Sequence, residues 1–360
     1  MKKVVIMSRY NLNGLSDAEI EYYSRQMILK EVGVDGQLKL KKAKVCIVGL
    51  GGLGSSTSIQ LASMGVGHLR IIDRDVVETS NLQRQHLYGM DVLGYPKVEA
   101  AAKRLRTLNP FVEIEPIPTS LRSSNAEKLI SGVDVVVDGL DRMTPRYILN
   151  RTCVKLGIPY VYGAAITHVG SVSTIIPRET ACLECFQGGI NDENLPTCAV
   201  VGVNPSIINM IASIEASEAV KIILGEKPSL ANTLLFCDLI SLSFDKISLV
   251  KVESCPVCSS KPSNNPYQLK DDLVEEVCGR DGRRVLIFTP EEDAYLDMQV
   301  VNKKIEKLGF TIIVKADMGL TFTKNMRKRG SVLKSGVMIL EGFDRRELEE
   351  FKEAIICREA

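Results

Sequence analysis

Two apolar rhythms alternate through the first 167 residues. Short unbroken apolar runs, at residues 45–48 and in HLRIIDRDVV, VEIEPI, VDVVVDGLD and IPYVYGAAI, have the length and β-branched character of buried strands. Between them apolar residues fall at helical spacing, from about residue 55 to 65, over KVEAAAKRLRTL at 97–108, in NAEKLIS and in TPRYILNRTCVKLG. A further helix is expected in LSDAEIEYYSRQMILKEVG, beginning at Leu15, with Ser16 as its cap and acids in its first turn. Strands alternating with helices at this pace predict an α/β fold: a doubly wound, mainly parallel sheet covered on both faces. Ligands of such sheets bind at the carboxyl ends of the strands.

The rhythm changes beyond residue 167. HVGSVSTIIP reads as a strand, residues 205–224 as one long helix, and two strand-like runs follow before CPVC. The polar stretch SSKPSNNPYQ at 259–268 marks a linker. The chain therefore divides into residues 1–260, a linker at 261–270, and a small α+β domain at 271–360 with an open antiparallel sheet, as expected for a length of 360 residues.

The first strand runs into KVCIVGLGGLG, where Gly49, Gly51, Gly52 and Gly54 stand at the spacing of a dinucleotide-type phosphate turn. Glycine lets the backbone turn sharply and approach a phosphate, and the following helix start supplies N–H donors and positive potential. Asp73, about twenty residues on at a strand end, is placed for a ribose hydroxyl, which suits NAD and ATP equally. Arg84 in SNLQRQ and Lys97 in GYPK add cations that a triphosphate needs and a dinucleotide does not. Asp141, closing VVDGLD, offers a carboxylate for Mg²⁺ beside those phosphates.

Charge and cysteine content narrow the classes further. A formal net charge of +1 argues against a broad nucleic-acid surface, and the runs at 39–44 and 324–329 read as solvated faces. No apolar stretch approaches a membrane span and the N-terminus is too quickly polar for a signal peptide, so a cytoplasmic protein is expected. Ten cysteines there suggest metal or thiol chemistry. Cys182-x-x-Cys185 and Cys255-x-x-Cys258 together point to a closed four-thiolate zinc site, with a redox pair as the alternative. The three histidines share no spacing and are assigned no role.

YSRQMIL, VGLGGLG, IIDRDVVETSNLQRQ, GYPKVEAA, DGLDRMTPRYILN, the two cysteine knuckles and IASIEASEAVKIILG occur in one order over residues 15–260. In this they resemble the ThiF/MoeB/HesA family, prokaryotic relatives of ubiquitin-activating enzymes. The resemblance implies a Rossmann-like ATP-binding sheet, a homodimer, and adenylylation of the C-terminal glycine of a ubiquitin-like sulfur carrier ending in Gly-Gly, with release of pyrophosphate. It implies that the four glycines and Asp73 hold the nucleotide, that Asn81, Arg84 and Lys97 surround the phosphates, and that Asp141 binds Mg²⁺. It further implies that Arg25 reaches the triphosphate of a second subunit, and that Cys198 can take a covalent link from the activated carrier or hold a persulfide. Arg142 stands where the family commonly has asparagine. No rhodanese-like loop is visible near the C-terminus, so a separate sulfur-donor protein is expected. Molybdopterin, thiamine and tRNA sulfur chemistry all stay open as the pathway, and the C-terminal domain is expected to dock or position the carrier. Three alternatives remain at this point: an NAD oxidoreductase, an enzyme adenylylating a carboxylate on a tRNA base, and a non-catalytic module stapled by zinc.

Overall fold

The computed structural model describes residues 14–192, 201–260, 269, 273–278, 284–325 and 327–356. Cys198 and most of the expected linker lie outside these residues. Two short helices, α1 (Asp17–Tyr23) and α2 (Gly33–Lys42), precede the sheet, where the sequence pattern suggested one. Ser16 caps α1 with a reciprocal Ser16–Glu19 capping box, as expected. The helix then breaks because tertiary contacts capture the chain: Gln26 Nε2 donates to the Met64 carbonyl at 2.7 Å, and Tyr23 accepts from buried Asn109 at 2.8 Å.

The first sheet has eight strands: β1 (Lys44–Val48), β2 (His68–Ile72), β3 (Glu113–Ile117), β4 (Val135–Asp138), β5 (Tyr160–Ile166), β6 (Val169–Ile175), β7 (Thr233–Asp238) and β8 (Ser243–Ser248). Their spatial order is β3-β2-β1-β4-β5-β6-β7-β8. The first five are parallel and the last three antiparallel, so the doubly wound expectation holds with an antiparallel extension. Strand order reverses between β1 and β4, which opens a crevice at their carboxyl ends.

Among the described residues this sheet is further accompanied by α3 (Gly52–Met64), α4 (Lys97–Leu108), α5 (Ala126–Ile130), α6 (Met143–Leu156), α7 (Leu183–Gln187) and α8 (Pro205–Leu224). α8 lies against α3, burying Ile207, Ile208, Ile211 and Ala212 in a cluster with Val45, Ile47 and Leu61. The other face of the sheet packs Cys46, Val136, Tyr160 and Leu149. Burial on both faces explains why β1 and β4 are continuous apolar runs rather than alternating ones. No described helix is long and apolar enough to cross a membrane.

The second sheet has six antiparallel strands in the order β11-β12-β13-β14-β10-β9. These are β9 (Val274–Cys278), β10 (Arg284–Phe288), β11 (Thr311–Lys315), β12 (Gly319–Lys324), β13 (Lys328–Leu333) and β14 (Met338–Glu341). Helices α9 (Met298–Lys307) and α10 (Arg345–Ile356) share one core with Leu286, Phe288, Phe322, Val332 and Leu340. The predicted α+β character is correct; β9 was not anticipated. Residues of the face opposite these helices meet loops at the carboxyl ends of β2 and β3. Thr321 Oγ1 donates to the Gly94 carbonyl at 2.6 Å, and Leu333 clusters with Val76. Glu99 accepts from the amides of Asp317 and Met318 at 3.2 and 2.8 Å.

Candidate functional site

Backbone crowding accounts for most of the glycines between β1 and α3. A Cβ on Gly54 would stand 1.8 Å from the Gly49 carbonyl oxygen, and one on Gly49, whose φ is +90°, 2.5 Å from that of Gly139. Gly52 is confined by Ile208 at 2.8 Å. Gly51 differs: a Cβ there would meet no atom closer than 3.8 Å. Packing leaves that space open directly before the first turn of α3, whose leading amides have no partner within the helix. A phosphate fits this cradle by size and by charge.

Two polar side chains close around it. Asp73, at the end of β2, accepts from the Leu50 amide at 2.6 Å and the Asp75 amide at 2.7 Å, which fixes its carboxylate beside the turn. Burial pushes this carboxyl upward, and Lys97 opposes that effect. Gln85 is buried, its Oε1 has no partner, and its Nε2 lies 4.0 Å from the Cβ position of Gly51. An orphaned acceptor in such a place fits a donor supplied by a ligand. Gln85 lies inside SNLQRQ, yet only the fold shows that its acceptor is left over.

Of the expected phosphate-binding residues, Lys97 is buried at the start of α4 and donates to Asp75 Oδ2 at 3.0 Å. Despite burial, Asp75 and Asp73 hold it firmly charged. Sequence reasoning missed Asp75, whose only signal is the DRD triplet. Arg84 is half-buried and donates to the Ser80 carbonyl at 2.9 Å, and buried Asn81 accepts from the Glu78 amide at 3.2 Å. Both ride on one short loop facing the turn from the β2 side.

On the β4 side, Asp138 is fully buried and accepts from Arg146 Nε at 3.0 Å, Tyr160 at 2.5 Å and the Leu140 amide at 2.8 Å. Arg146 also donates to the carbonyls of Leu140 and Gly163. This network pins the loop after β4 and leaves Asp141 exposed, without a hydrogen-bond or ion-pair partner among the described residues. A single free carboxylate beside a phosphate cradle suits Mg²⁺, which takes one or two carboxylates and completes its shell with phosphate and water. Glu215 on α8 is buried behind the turn, accepting from Thr57 Oγ1 at 3.0 Å while its Oε1 has no partner. Burial, with Asp138 nearby, lifts its carboxyl well above the usual range, which favours the neutral acid.

Arg25 is exposed and belongs to the turn after α1, which sits at the Met64 end of α3. The helix has 13 residues, about 20 Å at 1.5 Å each. Arg25 and the glycine turn are thus at opposite ends of α3 within one chain.

The cysteine knuckles occupy the other edge of the sheet, below the start of β5, where Ile175 of β6 pairs with Tyr160. Cys182 and Cys255 Sγ are 3.7 Å apart, Cys185 and Cys258 Sγ 3.4 Å, and all four lie within 4.8 Å of one another. A tetrahedron with 2.3 Å Zn–S bonds has edges of about 3.8 Å, so the cluster fits Zn²⁺ and closes its coordination.

A groove of about 520 Å³ opens near the carboxyl ends of the strands, lined by Thr167, His168, Val201, Val203 and Asn204. Beside it the β7–β8 turn and edge strand β8 expose Ile240 (76%), Leu242 (69%), Phe244 (53%) and Ile247 (49%).

Comparison with known proteins agrees with this geometry. The chain is 40% identical over 245 residues to the SAMP-activating enzyme E1 of Haloferax volcanii, covering 68% of this chain and 90% of that one. It is 39% identical over 267 residues to the sulfur carrier protein adenylyltransferase of Thermus thermophilus, covering 72% and 97% respectively. The crystal structure of E. coli MccB with succinimide shares the fold with a TM-score of 0.61 at 23% identity, over 69% of this chain and 76% of that chain. The ThiF family model matches residues 23–257, a span that takes in the glycine turn, Asp73, Asp75, Asp141 and three of the four cysteines, and the chain belongs to the ThiF family.

Proposed function

We propose that this chain uses ATP to adenylylate the C-terminal glycine carboxylate of a ubiquitin-like sulfur-carrier protein, releasing pyrophosphate. The observation that carries the reading is the convergence of an open glycine cradle, a fixed carboxylate at Asp73 and the cations Arg84 and Lys97 at the point where strand order reverses. A relative named SAMP-activating enzyme E1 and one named sulfur carrier protein adenylyltransferase, matched over 90% and 97% of their own lengths, support it.

The attacking carboxylate is already ionised and needs no general base. Rate enhancement then comes from holding it in line with the α-phosphorus and from neutralising the charge that spreads over the phosphates. Arg84 does this from the β2 loop; Lys97, through Asp75, sets the charge at the loop's base. Arg25 is too far from its own turn and acts from a second copy, which makes the site that of a homodimer. Mg²⁺, held by Asp141, supplies further neutralisation when bound. Zinc in the four thiolates holds the fold together, and that reduced cluster suits the cytoplasm. The carrier lies on the exposed apolar surface of β8 and sends its tail along the groove at His168. Cys198 then attacks the acyl adenylate, forming a thioester as AMP leaves.

Pyrophosphate exchange tests this reading. Exchange is expected only with a carrier ending in Gly-Gly, and Arg84→Ala lowers it about 10²–10³-fold, or 3–4 kcal/mol. Exchange with tRNA alone, or with no acceptor at all, overturns the reading. Trapping a reducible carrier adduct that Cys198→Ser abolishes tests the thioester step.

A further inference from the structure

Glu275 lies on β9, the edge strand of the second sheet, 201 residues from Arg74 in the chain. Its carboxylate accepts from Arg74 Nη1 at 2.5 Å and Nη2 at 2.9 Å, and its Oε2 also meets Arg142 Nη1 at 2.8 Å. The Glu275 side chain is only 13% exposed. Burial alone would raise its carboxyl, yet Arg74 and then Arg142 bring it below the usual carboxylate range. The two arginines come from the loops that flank the glycine turn. Arg74 follows Asp73 at the end of β2, and Arg142 follows Asp141 beyond β4. Asp75 and Asp141 are close enough to favour a charged Arg74, and Arg142 likewise favours a charged Asp75.

One carboxylate therefore occupies two guanidinium groups that would otherwise turn to the nearest acids. Asp75 already carries Lys97. Asp141 is the acid left open, and an arginine pairing with it would cover the oxygens that a divalent cation requires. Arg142 sits next to it in the chain.

We propose that Glu275 is a positioning residue of the nucleotide site: by holding Arg74 and Arg142 on the second sheet, it keeps Asp141 free for metal and makes the C-terminal module a working part of that site. This rests on the adenylylation reading, in which Asp141 serves the metal.

The test uses the full chain carrying Glu275→Ala, Glu275→Gln, Arg142→Ala or Glu275→Ala with Arg142→Ala. Mn²⁺ affinity is measured by electron paramagnetic resonance with a non-hydrolysable ATP analogue, alongside KM for ATP and kcat in pyrophosphate exchange at limiting and saturating Mg²⁺. Glu275→Ala is expected to weaken Mn²⁺ binding about tenfold or more, as for outer partners of metal ligands, and to raise KM at limiting metal while kcat recovers at saturation. Glu275→Gln shifts both in the same direction and, keeping the native shape, decides the matter if the alanine variant does not fold. The double variant recovers part of the affinity, because Arg74 stays free to turn to Asp141. Wild-type Mn²⁺ affinity in Glu275→Gln and Glu275→Ala, or a double variant no better than Glu275→Ala, overturns the proposal. Failure of the adenylylation reading shows separately, as absence of exchange in the wild-type chain, and the Mn²⁺ measurement still decides.

Discussion

The two edges of the eight-stranded sheet are built to opposite rules. At the amino edge four thiols face one another, and a single zinc ion would satisfy every one of them. At the carboxyl edge the groups are left incomplete: Gly51 has room for a Cβ and, among the described residues, Gln85 keeps an unmatched acceptor and Asp141 has no hydrogen-bond or ion-pair partner. A closed set of ligands stabilises, whereas an open set waits for something to complete it. The contrast separates a staple from a site without reference to any motif.

The comparison can be broken from either side, and the largest effect is expected at the amino edge. Cys185→Ser should drop the zinc content from about one per chain toward zero and remove several kcal/mol of stability, since metal binding is folding free energy there. Metal analysis with thermal unfolding checks this. A variant that loses zinc yet keeps its melting temperature would mean that the cluster is not a staple.

Two neighbouring glycines sharpen the contrast within the carboxyl edge. Gly54→Ala forces a Cβ against the Gly49 carbonyl and should cost about 3 kcal/mol of stability. Gly51→Ala makes only ordinary van der Waals contacts, so its melting temperature should stay at the wild-type value while nucleotide binding weakens about tenfold, ~1.4 kcal/mol. Calorimetric titration with ATP beside thermal melts separates the two effects. Equal ATP affinity in Gly51→Ala and wild type would remove the phosphate from that cradle.

The last expected effect concerns Glu215. Its carboxyl is raised in the native state, so between the unfolded value near 4.5 and the higher folded value the native chain holds a proton that the unfolded chain releases. Stability therefore falls as pH rises through that window, by up to about 1.4 kcal/mol per pH unit, and is unaffected by this group below it. Glu215→Gln, which mimics the neutral acid, should be more stable than wild type at pH 7 and indistinguishable at pH 4. Denaturant unfolding at both pH values reads the sign. Equal stability at pH 7 would mean that Glu215 is ionised in place.

Much of this architecture is written locally. Continuous apolar runs specify β1 and β4 because both faces of each are buried, and the glycine spacing marks the turn because each crowded Cβ is a local backbone clash. Asp73 is legible by its distance from that turn. Where reasoning from the sequence fell short, the deciding contacts are remote. The break after α1 depends on Met64 and Asn109, and the spare acceptor of Gln85 exists only once the turn is folded. β9 reads as an acidic scrap, VEEVC, until Arg74 and Arg142 are seen beside Glu275. Asp138 and Asp141, three positions apart, look alike as letters; burial separates an acid that supports the loop from one offered to solvent.

The edge strand β8 carries a hazard along with its proposed role. Among the described residues it pairs only with β7 and offers a free row of backbone donors and acceptors beside Phe244 and Ile247, the pattern on which chains add to one another into insoluble aggregates. Asp245 and Lys246, exposed at its centre, act as gatekeepers by placing charge in the path of an incoming strand. Removing them should shorten the shelf life of concentrated protein before it alters a single turnover, and a bound partner covering the strand should act as its solubiliser.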